Sequence, residues 1–210
     1  MAVENPWRFG LFFAAGWTLM TVAMMLPTSV PLLVLFQRMT RGGARAAWLL
    51  GVVICGYVGV WVLVGAALEA VNRALRAGIA RIAWPADAEW IAAGVILAIA
   101  GLYQFSPLKY ACLEKCRSPL SFLIGRWRGG SPTYQALRLG AEHGLYCVGC
   151  CWSLMLLMFV VGAGNLGGML LLGVLMAVEK NYRWGRRLSA PLGVVLTAGG
   201  IGVLVAGWAR

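Results

Sequence analysis

Charge is scarce in this chain of 210 residues. Charged side chains make up 12% of it, against about 25% in a soluble globular domain, and only 7 residues are acidic. With 61% of the residues hydrophobic, there is too little polar surface to clothe a soluble enzyme, and far too much apolar surface for a disordered chain. The same balance excludes a secreted disulfide scaffold. Histidine is almost missing: His143 stands alone, so no helix carries the histidine pair that would clamp a haem. There is no G-x-x-x-x-G-K-[ST] phosphate loop and no H-E-x-x-H zinc helix, so ATP-driven transport and metalloproteolysis lack their parts.

What remains is a membrane protein. Uncharged runs cover Phe9 to Gln37, Ala46 to Leu68, Trp90 to Leu108, His143 to Val178 and Leu188 to Ala209, each at or above the roughly 18 residues that suggest a spanning helix. The first is too long for a signal-peptide core of about 7–15 residues and no small-residue cleavage site follows it, so it is expected to be a retained helix. The run from His143 is 36 residues long, with Gly162, Ala163, Gly164 and Asn165 marking a turn in its middle. Two spans of about 20 residues do not fit there. The first of the pair must begin near Leu139, and the second must extend past Glu179 and Lys180, which sets these ionisable residues at the edge of the hydrocarbon or inside it. The two read either as an interfacial pair or as a functional carboxylate with its neighbour.

The expected fold class is therefore all-α: a polytopic transmembrane helical bundle forming a single domain over residues 1–210. About six spans are expected, at 9–27, 46–68, 90–105, 139–161, 166–183 and 188–208. A short interfacial helix is expected at 107–118, capped by Ser106, opened by Pro107 and ended by Pro119.

The formal charge of +11 does not point to nucleic acid, because the basic residues sit in gaps between apolar runs. They read as topology signals. Loops after the first, third and fifth spans hold 13 of the 18 Lys and Arg, which predicts a multi-pass protein of the inner (plasma) membrane with both termini on the non-cytoplasmic side. Lys109 and Arg117 are expected to anchor to lipid headgroups.

Five of the 6 cysteines fall in two clusters, C-x3-C at Cys112 and Cys116 and C-x2-C-C at Cys147, Cys150 and Cys151. Cys55 stands apart and reads as a small buried hydrophobe. On one helix His143, Cys147, Cys150, Cys151, Met155 and Met158 fall within a sector of about 140°. The end of the third span and the start of the fourth lie on one side of the membrane, as do the ends of the first and fifth. The two clusters, Met20, Met24 and Met25 of the first span, and Glu179 are thus expected at similar depth. Thiolate, thioether and imidazole donors favour soft metals, Cu(I) first and Zn(II) second. The candidate ligands are Cys112, Cys116, Cys147, Cys150, Cys151, His143, Met24, Met155 and Glu179. The duller reading of the methionines is packing, and His143 could merely occupy a wet helix end.

Four stretches carry a resemblance: A-M-M-L-P at Ala23 to Pro27, Y-Q-F-S-P-L-K-Y-A-C-L-E-K-C-R-S-P at Tyr103 to Pro119, H-G-L-Y-C-V-G-C-C-W-S-L-M at His143 to Met155, and E-K at Glu179 and Lys180. With them the chain resembles an uncharacterised bacterial family of integral membrane proteins predicted to bind metal. The resemblance covers most of the sequence and implies that the five clustered cysteines are the metal-site candidates. Asn165 to Gly168 depart from the family's bulkier pattern, which bears on packing rather than on ligands.

Three functions compete. The first is a copper-binding or copper-handling membrane protein, or an accessory or assembly subunit of a larger membrane complex, without turnover of its own. The second is a membrane thiol/disulfide oxidoreductase using Cys147, Cys150, Cys112 and Cys116. The third is a structural subunit that only packs through small-residue faces such as Gly162 to Gly168. Lipid, and other membrane subunits in the first and third readings, are the expected partners.

Overall fold

A computed structural model describes residues 6–43, 45–79, 89–126, 130–162 and 165–209. Arg81, Arg128 and Arg210 of the charge count, and Ala163 and Gly164 of the expected turn, lie outside the described residues. Every regular element among the described residues is helical: α1 (Pro6–Met25), a 3-10 turn (Pro27–Ser29), α2 (Val30–Thr40), α3 (Ala46–Ile79), α4 (Glu89–Tyr103), α5 (Pro107–Arg117), α6 (Pro119–Arg126), α7 (Pro132–Val161), α8 (Leu166–Asn181) and α9 (Gly185–Trp208).

Among the described residues, four helical stretches are long and apolar enough to cross a membrane: Gly10–Thr40, Ala46–Leu75, Pro132–Met158 and Gly185–Trp208. The pair Trp90–Tyr103 and Pro107–Arg117, bent by 64°, makes a fifth if taken as one broken span. α8 has 16 residues, short of the roughly 20 that cross a hydrocarbon core. Large apolar side chains such as Leu19, Leu63, Leu171 and Val195 face outward.

Several boundaries move outward from the apolar runs, for local reasons. α3 continues past Leu68 because Glu69 and Arg73, one turn apart, pair at 2.8 Å along its surface. α7 starts at Pro132, where the missing N–H costs nothing, and buries Ala136, Leu139 and His143 at helical spacing. α6 follows α5 after a single residue, because Pro119 ends one helix and opens the next.

The chain divides into two compact units. The first comprises Met1–Ala83 and Pro119–Leu145. In it the 3-10 turn at Pro27 sends the Ser29 N–H to the Leu26 carbonyl, which deprives the Met25 carbonyl of its helical donor. Hydroxyls replace it: Thr28 Oγ1 donates to Met25 O at 2.7 Å and Tyr57 Oη at 3.2 Å. Trp17 Nε1 donates to the Trp61 carbonyl at 2.8 Å, tying α1 to α3. α3 also meets the first half of α7 at backbone distance, since a Cβ on Gly140 would strike the Val53 carbonyl and one on Gly56 the Leu137 carbonyl.

The second unit comprises Trp84–Ser118 and Tyr146–Arg210. α4 and α9 pack along their lengths through small residues: a Cβ on Gly200 would lie 2.6 Å from Ala98 N, and one on Gly101 would overlap Thr197. Close approach of this kind is how helices associate where no water drives them together. α8 packs on both α5 and α9.

A side chain at Gly140 has no room. Gly140→Val is expected to destabilise the protein by about 1–3 kcal/mol through overpacking, read as an earlier transition on titrating detergent-solubilised protein with sodium dodecyl sulfate. Gly59→Val, on the α3 helix that Gly140 packs against but with open space around it, should shift the transition much less; equal losses would contradict the crossing.

Candidate metal centre

The chemistry of the second unit gathers around α5. Ser106, in extended conformation, accepts from the Leu108 N–H at 3.2 Å and Pro107 fills the first turn, as the residue types dictate. Lys109, Cys112 and Cys116 follow at spacings of three and four, which sets them on one face. That face is turned inward: Lys109 and Cys112 are buried and Cys116 is half-buried.

Opposite stands the second half of α7. Cys147, Cys150 and Cys151 are all buried. A Cβ at Gly149 would collide with Cys112 Sγ, so the absence of a side chain there lets the α5 sulfur lie on the α7 backbone. Cys150 Sγ is 3.4 Å from Cys151 Sγ and 3.9 Å from Cys116 Sγ. Two sulfurs bonded at about 2.3 Å to one tetrahedral metal sit about 3.8 Å apart, so the α5–α7 pair already has a ligand-like separation. Tyr103 at the end of α4 holds α7 by donating to the Gly149 carbonyl, and its ring meets Trp152 edge-on at 4.9 Å.

Two consecutive residues at the end of α8 bind these helices. Glu179 accepts from Lys109 Nζ at 2.8 and 2.9 Å and from Ser189 Oγ at 2.7 Å; Lys109 also donates to Gln104. The pair is sealed, with side chains 0% and 1% exposed. Lys180, also buried, places Nζ 2.9 Å from Cys147 Sγ. Arg117 donates to the Glu179 carbonyl, and to the Arg183 carbonyl at 3.1 Å. Arg186 lies over the Tyr110 ring at 5.1 Å.

These partners differ from the expected ones. Glu179 and Lys180 do not form an interfacial pair: neighbours on a helix diverge by about 100°, so each turns to a different helix. Lys109 is no headgroup anchor, because it shares the cysteine face of α5. Arg117 caps the end of α8 instead of reaching outward. Glu179 serves as counter-ion to Lys109, with both carboxylate oxygens engaged. The spacing of Lys109 from Cys112 was the available signal for its burial; nothing in the pattern pointed to Gln104 or Ser189.

The remaining candidates have different surroundings. Met155 is buried one turn beyond Cys151, and Cys55, in the first unit, is exposed rather than buried. Met24, also in the first unit, is buried at the end of α1. His143 Nε2 lies 3.2 Å from Ser29 Oγ, between the rings of Tyr57 and Phe122 at 5.7 and 5.8 Å. Among the described residues, no three His, Cys, Asp or Glu side chains are arranged to hold a metal ion as they stand. The arrangement supplies sulfur pairs, which suit an ion content with few soft ligands better than one demanding four.

Residues 14–203 match the model of a protein family, PpoB2, described as copper chaperone. The chain belongs to the PpoB2 copper chaperone family. The match takes in α5, α7 and α8 entire, so all five clustered cysteines and the α8 clamp lie within the PpoB2 region. No curated protein and no solved structure matches the chain.

Removing one partner of a sealed ion pair strands the other. Glu179→Leu or Lys109→Met alone is expected to cost about 3–5 kcal/mol, whereas the two together should recover most of that loss. Detergent unfolding of the wild type, both single variants and the double variant checks this; a double variant as weak as the sum of the singles would contradict the pairing.

Proposed function

We propose that this protein is an integral membrane copper chaperone that carries Cu(I) as cargo on thiolates of α5 and α7 and passes it to another membrane-bound protein, with no turnover of its own. The observation that carries the reading is the row of sulfurs from Cys116 through Cys150 to Cys151, spaced at 3.9 and 3.4 Å in a buried setting. Membership of a copper chaperone family supports the cargo. Thiolates favour soft metals such as Cu(I), and Zn(II), whose structural sites take four closed ligands, is the lesser candidate.

Cys116 and Cys150 are the core donors in this reading. Cys112 and Cys151 stand beside them as donors for a third position or for transfer, and Met155 is a further soft donor. Cys147, whose sulfur lies 2.9 Å from Lys180 Nζ, joins the sulfur set when copper arrives. His143, Met24 and Glu179 support the site by packing or charge rather than by ligation.

The distribution of Lys and Arg supports a multi-pass protein of the inner membrane with both termini outside and the sulfurs in the cytoplasmic half. Reducing surroundings there keep the thiols available.

Joint replacement of Cys147, Cys150 and Cys151 by Ser changes side-chain volume little while removing the soft donors. Copper retained by detergent-purified, chelator-washed protein is expected to fall at least about tenfold with membrane insertion intact. Elemental analysis of wild type and variant reads the outcome, and unchanged copper content would reject the site.

A further inference from the structure

Cys116 and Cys150 belong to different helices, 34 residues apart in sequence, with sulfurs 3.9 Å from each other. Both are free thiols. A disulfide bond is about 2.05 Å long, so the gap to be closed is less than about 2 Å, within the sweep of a cysteine side chain rotating about its Cα–Cβ bond.

Cys150 has a nearer sulfur in Cys151, at 3.4 Å, yet that pair is the worse one to join. The two are neighbours on the unbroken helix α7, where successive Cβ atoms diverge by about 100°, and a bond between them would force the intervening peptide out of helical geometry. Access separates the roles of the other two. Cys150 is fully buried, whereas Cys116 is half-buried near the end of α5. A reagent arriving from outside meets Cys116 first.

We propose that Cys116 and Cys150 form a reversible disulfide by exchange with a low-molecular-weight disulfide such as oxidised glutathione, and that this bond empties the copper site. The Cys116 thiolate attacks one sulfur of the incoming disulfide, forming a mixed disulfide and releasing one thiolate. The Cys150 thiolate then attacks the Cys116 sulfur, closing the internal bond and releasing the second thiolate. Two protein thiols are oxidised, one external disulfide is reduced to two thiols, and the two protons lost by the cysteines are carried by the leaving thiols. Excess external thiol reverses both steps. The consequence for copper rests on the copper reading given above, because a sulfur bonded in a disulfide is no longer a thiolate donor; formation of the bond does not rest on it.

Full-length protein carrying Cys55→Ser, which removes the exposed thiol of the first unit, is purified metal-free and titrated with oxidised glutathione. Non-reducing peptide mass mapping is expected to find a Cys116–Cys150 link, with a loss of two of the five remaining thiols. Cu(I) taken up when the oxidised sample is then loaded should be at least about tenfold below that of the reduced sample, and should be restored by reduction. Cys150→Ser should stop the reaction at a stable glutathione adduct on Cys116. Absence of the link where Cys116 is already glutathionylated, or a Cys150–Cys151 link in its place, overturns the proposal. A linked protein that keeps its copper overturns the emptying of the site. If the link forms but the reduced protein holds no copper, the disulfide stands and the chaperone reading falls.

Discussion

The second unit is organised by two adjacent residues at the end of a helix too short to span a membrane on its own. Glu179 and Lys180 point in directions about 100° apart, so one reaches Lys109 on α5 and the other reaches Cys147 on α7. In an apolar interior such contacts are poor sources of net stability but costly to break, which makes them constraints on geometry. They hold the helix bearing Cys112 and Cys116 against the helix bearing Cys147, Cys150 and Cys151. Gly149 lets the two approach until a sulfur rests on backbone.

The charges have a further reading at the level of the site. Lys109 pairs with Glu179, and Lys180, also buried, sets its ammonium beside the Cys147 sulfur. A soft monovalent ion on two thiolates adds one unit of negative charge, and an ammonium nearby offsets it. This arrangement accounts for lysines on the inside of an apolar bundle, where a charge without function is rare.

Much of this was legible beforehand, and the parts that were not share a cause. Ser106 and Pro107 announce the start of α5 by their chemistry, and connectivity alone suggests that the two cysteine clusters lie near one another, as the 3.9 Å between Cys116 and Cys150 sulfurs bears out. Lys109 departs from the rule that charge faces outward because its spacing from Cys112 and Cys116 places it on the inward face of α5. Glu179 and Lys180 look like a pair in the sequence, but helical geometry separates neighbours. His143 shares the cysteine sector of α7, yet what lies against it is Ser29, Tyr57 and Phe122 from elements distant in the sequence, which no periodicity reveals. The lengths of uncharged runs measure apolarity rather than helix extent: α3 runs on through charged residues, α8 stops at Asn181, and α6 hides among basic residues. Among the described residues, four helical stretches are long and apolar enough to cross, and the bent α4–α5 pair makes a fifth if taken as one span.

The account stands on sulfur from two helices gripping one copper ion. X-ray absorption at the copper edge of reduced, Cu(I)-loaded protein tests it most directly. A first shell made of sulfur, lost when Cys116 and Cys150 are both replaced by Ser, is the predicted result; a shell of nitrogen and oxygen, or a sulfur shell unchanged by that replacement, would contradict it.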